Sequence, residues 1–111
     1  MATITEDYCS QEVYRLLREK GFDGEIHTTF DKEGYTQASI TLQMAMKWLR
    51  EVHNLYIQTA VTSWPQKGYS VHIYMYNDHY NNFEEVPFVE YKESYEKACE
   101  AACIYALKNL I

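Results

Sequence analysis

The chain has 111 residues, 47% of them hydrophobic and 23% charged, with a formal net charge of -6. That size fits one domain, able to bury about two-thirds of its unfolded surface, and the hydrophobic share excludes an intrinsically disordered chain. The acidic balance argues against direct nucleic-acid binding, which needs Lys and Arg to displace counterions, and against an anionic membrane surface.

Three cysteines, an odd number, make no disulfide framework and read as reduced thiols. The start of the chain has no basic segment followed by an apolar one, so no signal peptide is expected. No apolar run approaches the ~18 residues of a membrane span. The expected address is cytoplasmic, and the expected organisation is a single domain over residues 1–111 with a flexible tail at 1–6.

A first helix is predicted from Ser10 as N-cap to Lys20, with Val13, Leu16, Leu17 and Cys9 on its apolar stripe. Glu12 in its first turn and Lys20 in its last suit the helix dipole, and Gly21 followed by Phe22 suits a C-terminal cap. Residues 25–30 alternate weakly and read as a short strand, followed by a turn over 31–34.

A second helix begins at either Thr36 or Thr41, both acceptable N-caps, and carries Leu42, Ala45, Leu49 and Val52 at helical spacing. At Asn54, a residue that tolerates the left-handed conformation, the rhythm changes to period two. Leu55 to Trp64 and Tyr69 to Tyr76 then read as a hairpin around a Pro-Gln-Lys-Gly turn. In its second strand Tyr69, Val71, Ile73 and Met75 face one way, and Ser70, His72, Tyr74 and Tyr76 face the other. One apolar and one polar-aromatic face is the pattern of an antiparallel sheet covered on one side.

Residues 77–82 read as a polar loop. Residues 83–91 fit an edge strand or an ordered loop equally, because Pro87 disfavours a central strand. A last helix follows Ser94 and runs to about Leu110, with Ala98, Ala102, Tyr105 and Leu110 on a stripe widened by Cys99, Cys103, Ala106 and Leu107. The order α-β-α-β-β-α predicts an α+β fold: a small, mostly antiparallel sheet with helices packed on one face.

Thr36-Gln37-Ala38-Ser39, the helix Gln43 to His53 containing Lys47-Trp48-Leu49-Arg50-Glu51, and the ending Ser94-Tyr95-Glu96-Lys97-Ala98 with Ala106 to Ile111 form a distinctive set. In these segments the chain resembles a family of small uncharacterised proteins from gut Bacteroidetes and their phages or prophages. There a Lys-Trp-Leu-Arg-Glu helix precedes a variable hairpin, and a Ser-Tyr-Glu-x-Ala helix closes the chain. The resemblance implies no activity and carries no catalytic residue across. Cys99 and Cys103 depart from the aliphatic residues or Ala that are commoner there.

Chemistry-bearing motifs are sparse. The chain has no Gly-x-Ser-x-Gly turn and no Gly-rich phosphate loop. Cys99 and Cys103 share a helix face at a spacing that suits a soft metal, but a structural zinc site needs about four ligands, and buried Cys is commonly a small core hydrophobe. His72, Asp78 and His79 offer an acid-base or metal reading with no familiar spacing. His53 suits the end of a helix. Trp48 reads as the edge of the core and Trp64 as an exposed hairpin tip. Glu84, Glu85, Glu90, Glu93, Glu96 and Glu100 read as a solvated face or as an acidic docking surface.

The strongest binding hint lies in the 11 tyrosines. Tyr56, His72, Tyr74, Tyr76 and Tyr80 are the candidate binding residues, set on or beside one polar strand face. Exposed Tyr favours protein interfaces, while cross-strand aromatic pairing alone would also account for them. The expected function is therefore a small non-enzymatic protein-binding or modulator domain, possessing no catalytic residues, no metal and no cofactor. Its expected partner is another protein or a second copy, met through the tyrosine face, with neither direct nucleic acid nor membrane. The alternatives are an acidic nucleic-acid mimic, or a small metal protein or enzyme using His72, Asp78 and His79 or the two helical thiols.

Overall fold

A computed structural model describes residues 7–24, 26–30, 32–64 and 66–111, with the side chains of His27 and Thr29 excepted. The expected tail at 1–6, the start of the first strand at Glu25, the first turn residue Asp31 and the hairpin residue Pro65 lie outside the described residues.

Helix α1 spans Gln11–Glu19, and the Ser10 side chain accepts a hydrogen bond from the Val13 N–H at its start. At its end Gly21 takes φ 100°, which no Cβ opposes. Phe22 N–H then donates to Leu17 C=O at 2.9 Å and Gly21 N–H to Arg18 C=O at 3.2 Å, a Schellman cap. Phe22 folds back into the core beside Val13, Leu16, Leu17 and Cys9.

Strands β1 (His27–Phe30) and β2 (Thr36–Ser39) pair antiparallel. Thr36 therefore opens a strand, which corrects its reading as a possible helix start. Thr36, Ser39 and Thr41 are poor helix interiors, and the next backbone groups are already engaged: Cys9 N–H donates to Ile40 C=O at 2.9 Å and Leu42 N–H to Asp7 C=O at 2.8 Å. Helix α2 (Leu42–His53) starts instead at Thr41, whose hydroxyl accepts from the Met44 N–H. It buries Leu42, Ala45, Met46 and Leu49. Val52 is exposed. At 3.6 residues per turn it has drifted about 80° from Leu42, and Met46 takes the place expected of it.

Asn54 ends α2 at φ 56°, ψ 31°, in the left-handed region. Strand β3 (Leu55–Thr62) begins on the next residue. A side chain branched at Cβ is disfavoured in that conformation, so Asn54→Val should lower stability by about 1–2 kcal/mol. Asn54→Gly should change it by only a few tenths of a kcal/mol or raise it. Urea unfolding of the two variants beside the parent checks the difference.

Strands β4 (Gly68–Asn77) and β5 (Asn82–Lys92) complete an antiparallel sheet of order β3-β4-β5. Residues 83–91 are thus strand, and the sheet has a third member. Pro87 is accommodated by a break in register. Tyr74 pairs with Glu85 and His72 with Val89, so Val86, Pro87 and Phe88 together face Ile73. The proline, which has no N–H, sits in the bulge, where the ladder is interrupted.

Helix α3 (Tyr95–Asn109) is capped by the Ser94 side chain, which accepts from the Lys97 N–H. Its buried side is Ala98, Cys99, Ala102, Cys103, Ala106 and Leu107. Those small side chains let it lie across the sheet, in contact with β3, β4 and β5, while α1 and α2 pack beside it. The core lies between these helices and the sheet face carrying Leu55, Val71 and Ile73. The result is an α+β domain with helices on one face of an antiparallel sheet, and β2 and β5 extend the order read from the sequence. Among the described residues, no helix is long and apolar enough to cross a membrane.

Candidate functional site

Register decides which side chains share the sheet face that no helix covers. Tyr56 lies directly opposite Tyr74, Gln58 opposite His72, and Ala60 opposite Ser70. On the far side of β4, Tyr74 faces Glu85, Tyr76 faces Phe83, His72 faces Val89 and Ser70 faces Tyr91. Paired residues in an antiparallel ladder point to the same face. Tyr56, His72, Tyr74 and Tyr76 are thus brought together as the alternation predicted. Tyr80 is not among them. It sits in the turn between β4 and β5, with its ring against His79 at 4.7 Å and its N–H bonded to Asn77 Oδ1.

Phe83 organises the group. Its ring meets Tyr56 at 5.0 Å and Tyr76 at 5.0 Å, both edge-on. Such contacts stabilise aromatic pairs beyond the area they bury. Tyr56, Ile57, Gln58, Tyr74 and Phe83 line a shallow depression of about 530 Å³. Phe83 is 54% exposed and Tyr91 is 61% exposed, so the face is wet and reachable. Phe83, Glu85, Val89 and Tyr91 all come from β5, a strand that the sequence left undecided. Their alternation from Phe83 to Glu85, and again from Val89 to Tyr91, was the available signal, and the proline bulge between them shifts its phase.

The face carries little charge. His72 Nδ1 stands 3.0 Å from Glu85 Oε1. Most of the other late carboxylates are engaged elsewhere: Glu84 accepts from Asn77, Glu90 pairs with Lys92, Glu93 pairs with Lys97, and Glu96 meets the Asp7 carboxyl, which it raises from its ordinary value. The Lys97 ammonium holds Glu93 below the usual carboxylate range. Glu100 clasps the start of α1, accepting from Ser10 N–H at 2.7 Å and Ser10 Oγ at 2.8 Å.

The other candidate groups disperse. His72 lies mid-strand, whereas Asp78 and His79 lie in the turn beyond the end of β4. Among the described residues, no three His, Cys, Asp or Glu side chains converge to hold a metal ion. Cys9, Cys99 and Cys103 are free thiols, all buried. Burial pushes each thiol up from its ordinary value, Cys103 furthest. A protonated thiol is a poor nucleophile and a poor ligand. Trp48 lies at the core edge between Phe22 and His53, and Trp64 is exposed at the hairpin tip.

Scans against protein-family models, curated proteins and solved structures returned no match to this chain.

Proposed function

We propose that this chain is a small non-enzymatic binding domain that engages another protein through the open face of its sheet. The observation that carries the reading is the aromatic group Tyr56, Tyr76 and Phe83, joined by ring contacts to Phe83, with Tyr74 lining the same open depression and stacked on His72. Tyr and Phe offer large contact area with few torsions to freeze, and prior ring packing reduces the ordering cost of association. The chemistry of the face suits a protein segment that seats an apolar or aromatic side chain among these rings.

The resemblance to small proteins of gut Bacteroidetes and their phages supports a modulator of phage or prophage origin acting on a host protein. Three free, buried thiols support a reducing, cytoplasmic setting. An acidic mimic of nucleic acid has less support, because Glu85, Glu90, Glu93 and Glu100 are occupied separately by His72, Lys92, Lys97 and Ser10 rather than aligned as a free strip.

Affinity capture from a bacterial lysate, run in parallel with the parent and with Tyr74→Thr/Phe83→Thr, tests the reading. Both positions lie on the sheet face opposite the core, and Thr suits a strand, so circular dichroism should be unchanged. Retention of the partner should fall at least about tenfold in the double variant, the loss of one interface hot spot. Equal retention by both proteins, or no specific partner for the parent, would reject the open face as the binding site.

A further inference from the structure

We propose that β3 is a self-pairing edge, through which two copies of this chain join into one continuous six-stranded antiparallel sheet. The sheet order leaves β3 with a neighbour on one side only. Among the described residues no backbone hydrogen bond ties its outer side to another segment. The inner side is identified by Tyr76 N–H donating to Asn54 C=O at 3.1 Å. Backbone groups in an antiparallel ladder alternate in direction, so Asn54, Tyr56, Gln58, Ala60 and Thr62 face β4. Leu55, Ile57, Thr59 and Val61 therefore aim their N–H and C=O groups outward. Such a row is a template for another strand unless something guards it.

The two outer edges of this sheet are treated differently. β5 carries Glu84, Glu85, Glu90, Lys92, Pro87 and a bulge, all of which discourage pairing. β3 reads Leu-Tyr-Ile-Gln-Thr-Ala-Val-Thr, with no charge, no proline and no glycine, and it is regular in register throughout. From Leu55 to Asn77 the only formally charged residue is Lys67, in a chain that is 23% charged. Charge depletion with aromatic enrichment marks the centre of an interface.

The distribution of charge also selects the occupant. Two copies at -6 each repel over most approaches. Paired through β3, the acidic β5 strands lie five strand spacings apart, about 24 Å. That exceeds the Debye length of about 8–10 Å at moderate salt. A basic foreign segment would find no carboxylate along β3 to pair with, whereas a second copy requires none. A strand also matches itself about a two-fold axis without further design.

One register uses all four outward residues. It centres the two-fold on Gln58, sets Ile57 against Thr59 of the second copy, and sets Leu55 against Val61 of the second copy. Val61, 81% exposed in the single chain, then gains an aliphatic neighbour. On the open face the two Gln58 side chains meet, and each Tyr56 lies across from the small Ala60 of the second copy. The dimer extends the aromatic face without covering it, so it stands apart from the partner-binding reading.

Sedimentation equilibrium of the whole chain at about 100 μM, well above the Kd of any dimer that would matter in a cell, should give twice the 13.2 kDa chain mass. Thr59→Pro removes an outward N–H and leaves the β4 ladder intact, and Val61→Lys places a charge on the edge. Each should weaken dimerisation at least about tenfold, and amide exchange at Ile57, Thr59 and Val61 should be slow in the parent and fast in Val61→Lys. If Thr59→Pro does not fold, Val61→Lys and the exchange data decide. Tyr74→Thr/Phe83→Thr should remain dimeric. A monomer at every concentration, a dimer that survives the edge substitutions, or a dimer dissolved only by the face substitutions would overturn the proposal, and none of these results alone bears on capture of a foreign partner.

Discussion

Replacing Ile73 by alanine is expected to cost about 2–5 kcal/mol of unfolding free energy, the range for deleting a fully buried aliphatic side chain. Ile73 is wholly buried on β4, the middle strand, and its surroundings leave little room to relax. On one side it neighbours Ile57 of β3, and on the other it faces the three-residue bulge of Val86, Pro87 and Phe88. That bulge is itself anchored: the Phe88 ring stacks on Tyr105 of α3 at 4.5 Å. A cavity at Ile73 therefore forms where strand, bulge and helix meet, and none can close it without losing its other contacts. For a domain stabilised by about 5–15 kcal/mol the loss is a large fraction. The urea midpoint should fall by roughly 1–3 M at unchanged slope. Val52→Ala, on the exposed side of α2, should move it little. Equal shifts for the two variants would mean that the sheet does not pack as described.

The same junction shows where the sequence was legible and where it was not. α1, α2 and α3 each carry a period and a cap that agree, Ser10 with Gly21, Thr41 with Asn54, and Ser94, and β3 and β4 each carry a clear alternation. Local signals suffice when they concur. β2 had no such signal. Thr36-Gln37-Ala38-Ser39 has no apolar alternation, and its strand state follows from pairing with β1, which is tertiary information. β5 was obscured by Pro87, because a proline rules out a strand only where the ladder needs its N–H. The bulge removes that need, and nothing local announces a bulge. The candidate site was divided accordingly. Its β3 and β4 members, Tyr56, His72, Tyr74 and Tyr76, followed from alternation. Phe83, the ring that joins Tyr56 to Tyr76, depended on β5 and could not be placed.

The buried thiols give the second large effect, and its sign is fixed by burial. Desolvation raises the Cys103 thiol well above its ordinary range, with Glu100, Cys99 and Cys9 pushing the same way, and burial also raises Cys9 and Cys99. The folded chain thus keeps protons that the unfolded chain gives up near pH 8.5. Stability from this source is complete below that pH and declines as pH climbs from the unfolded value toward the folded one. Each fully shifted thiol contributes a slope of about 1.4 kcal/mol per pH unit. Cys103, the most strongly shifted of the three, should carry the largest share of that decline. Urea midpoints between pH 7.5 and 10 should therefore fall steeply in the parent and less steeply in Cys103→Ala, even though that variant starts lower because of its small cavity. Comparing the slopes cancels the Tyr and Lys titrations common to both proteins. Parallel curves would show that Cys103 can ionise in the folded state, and would restore a thiolate reading for the Cys99 and Cys103 pair. Curves that approach each other as pH rises place Cys103 in the hydrophobic core as a thiol that the fold keeps protonated, which serves neither as a nucleophile nor as a metal ligand.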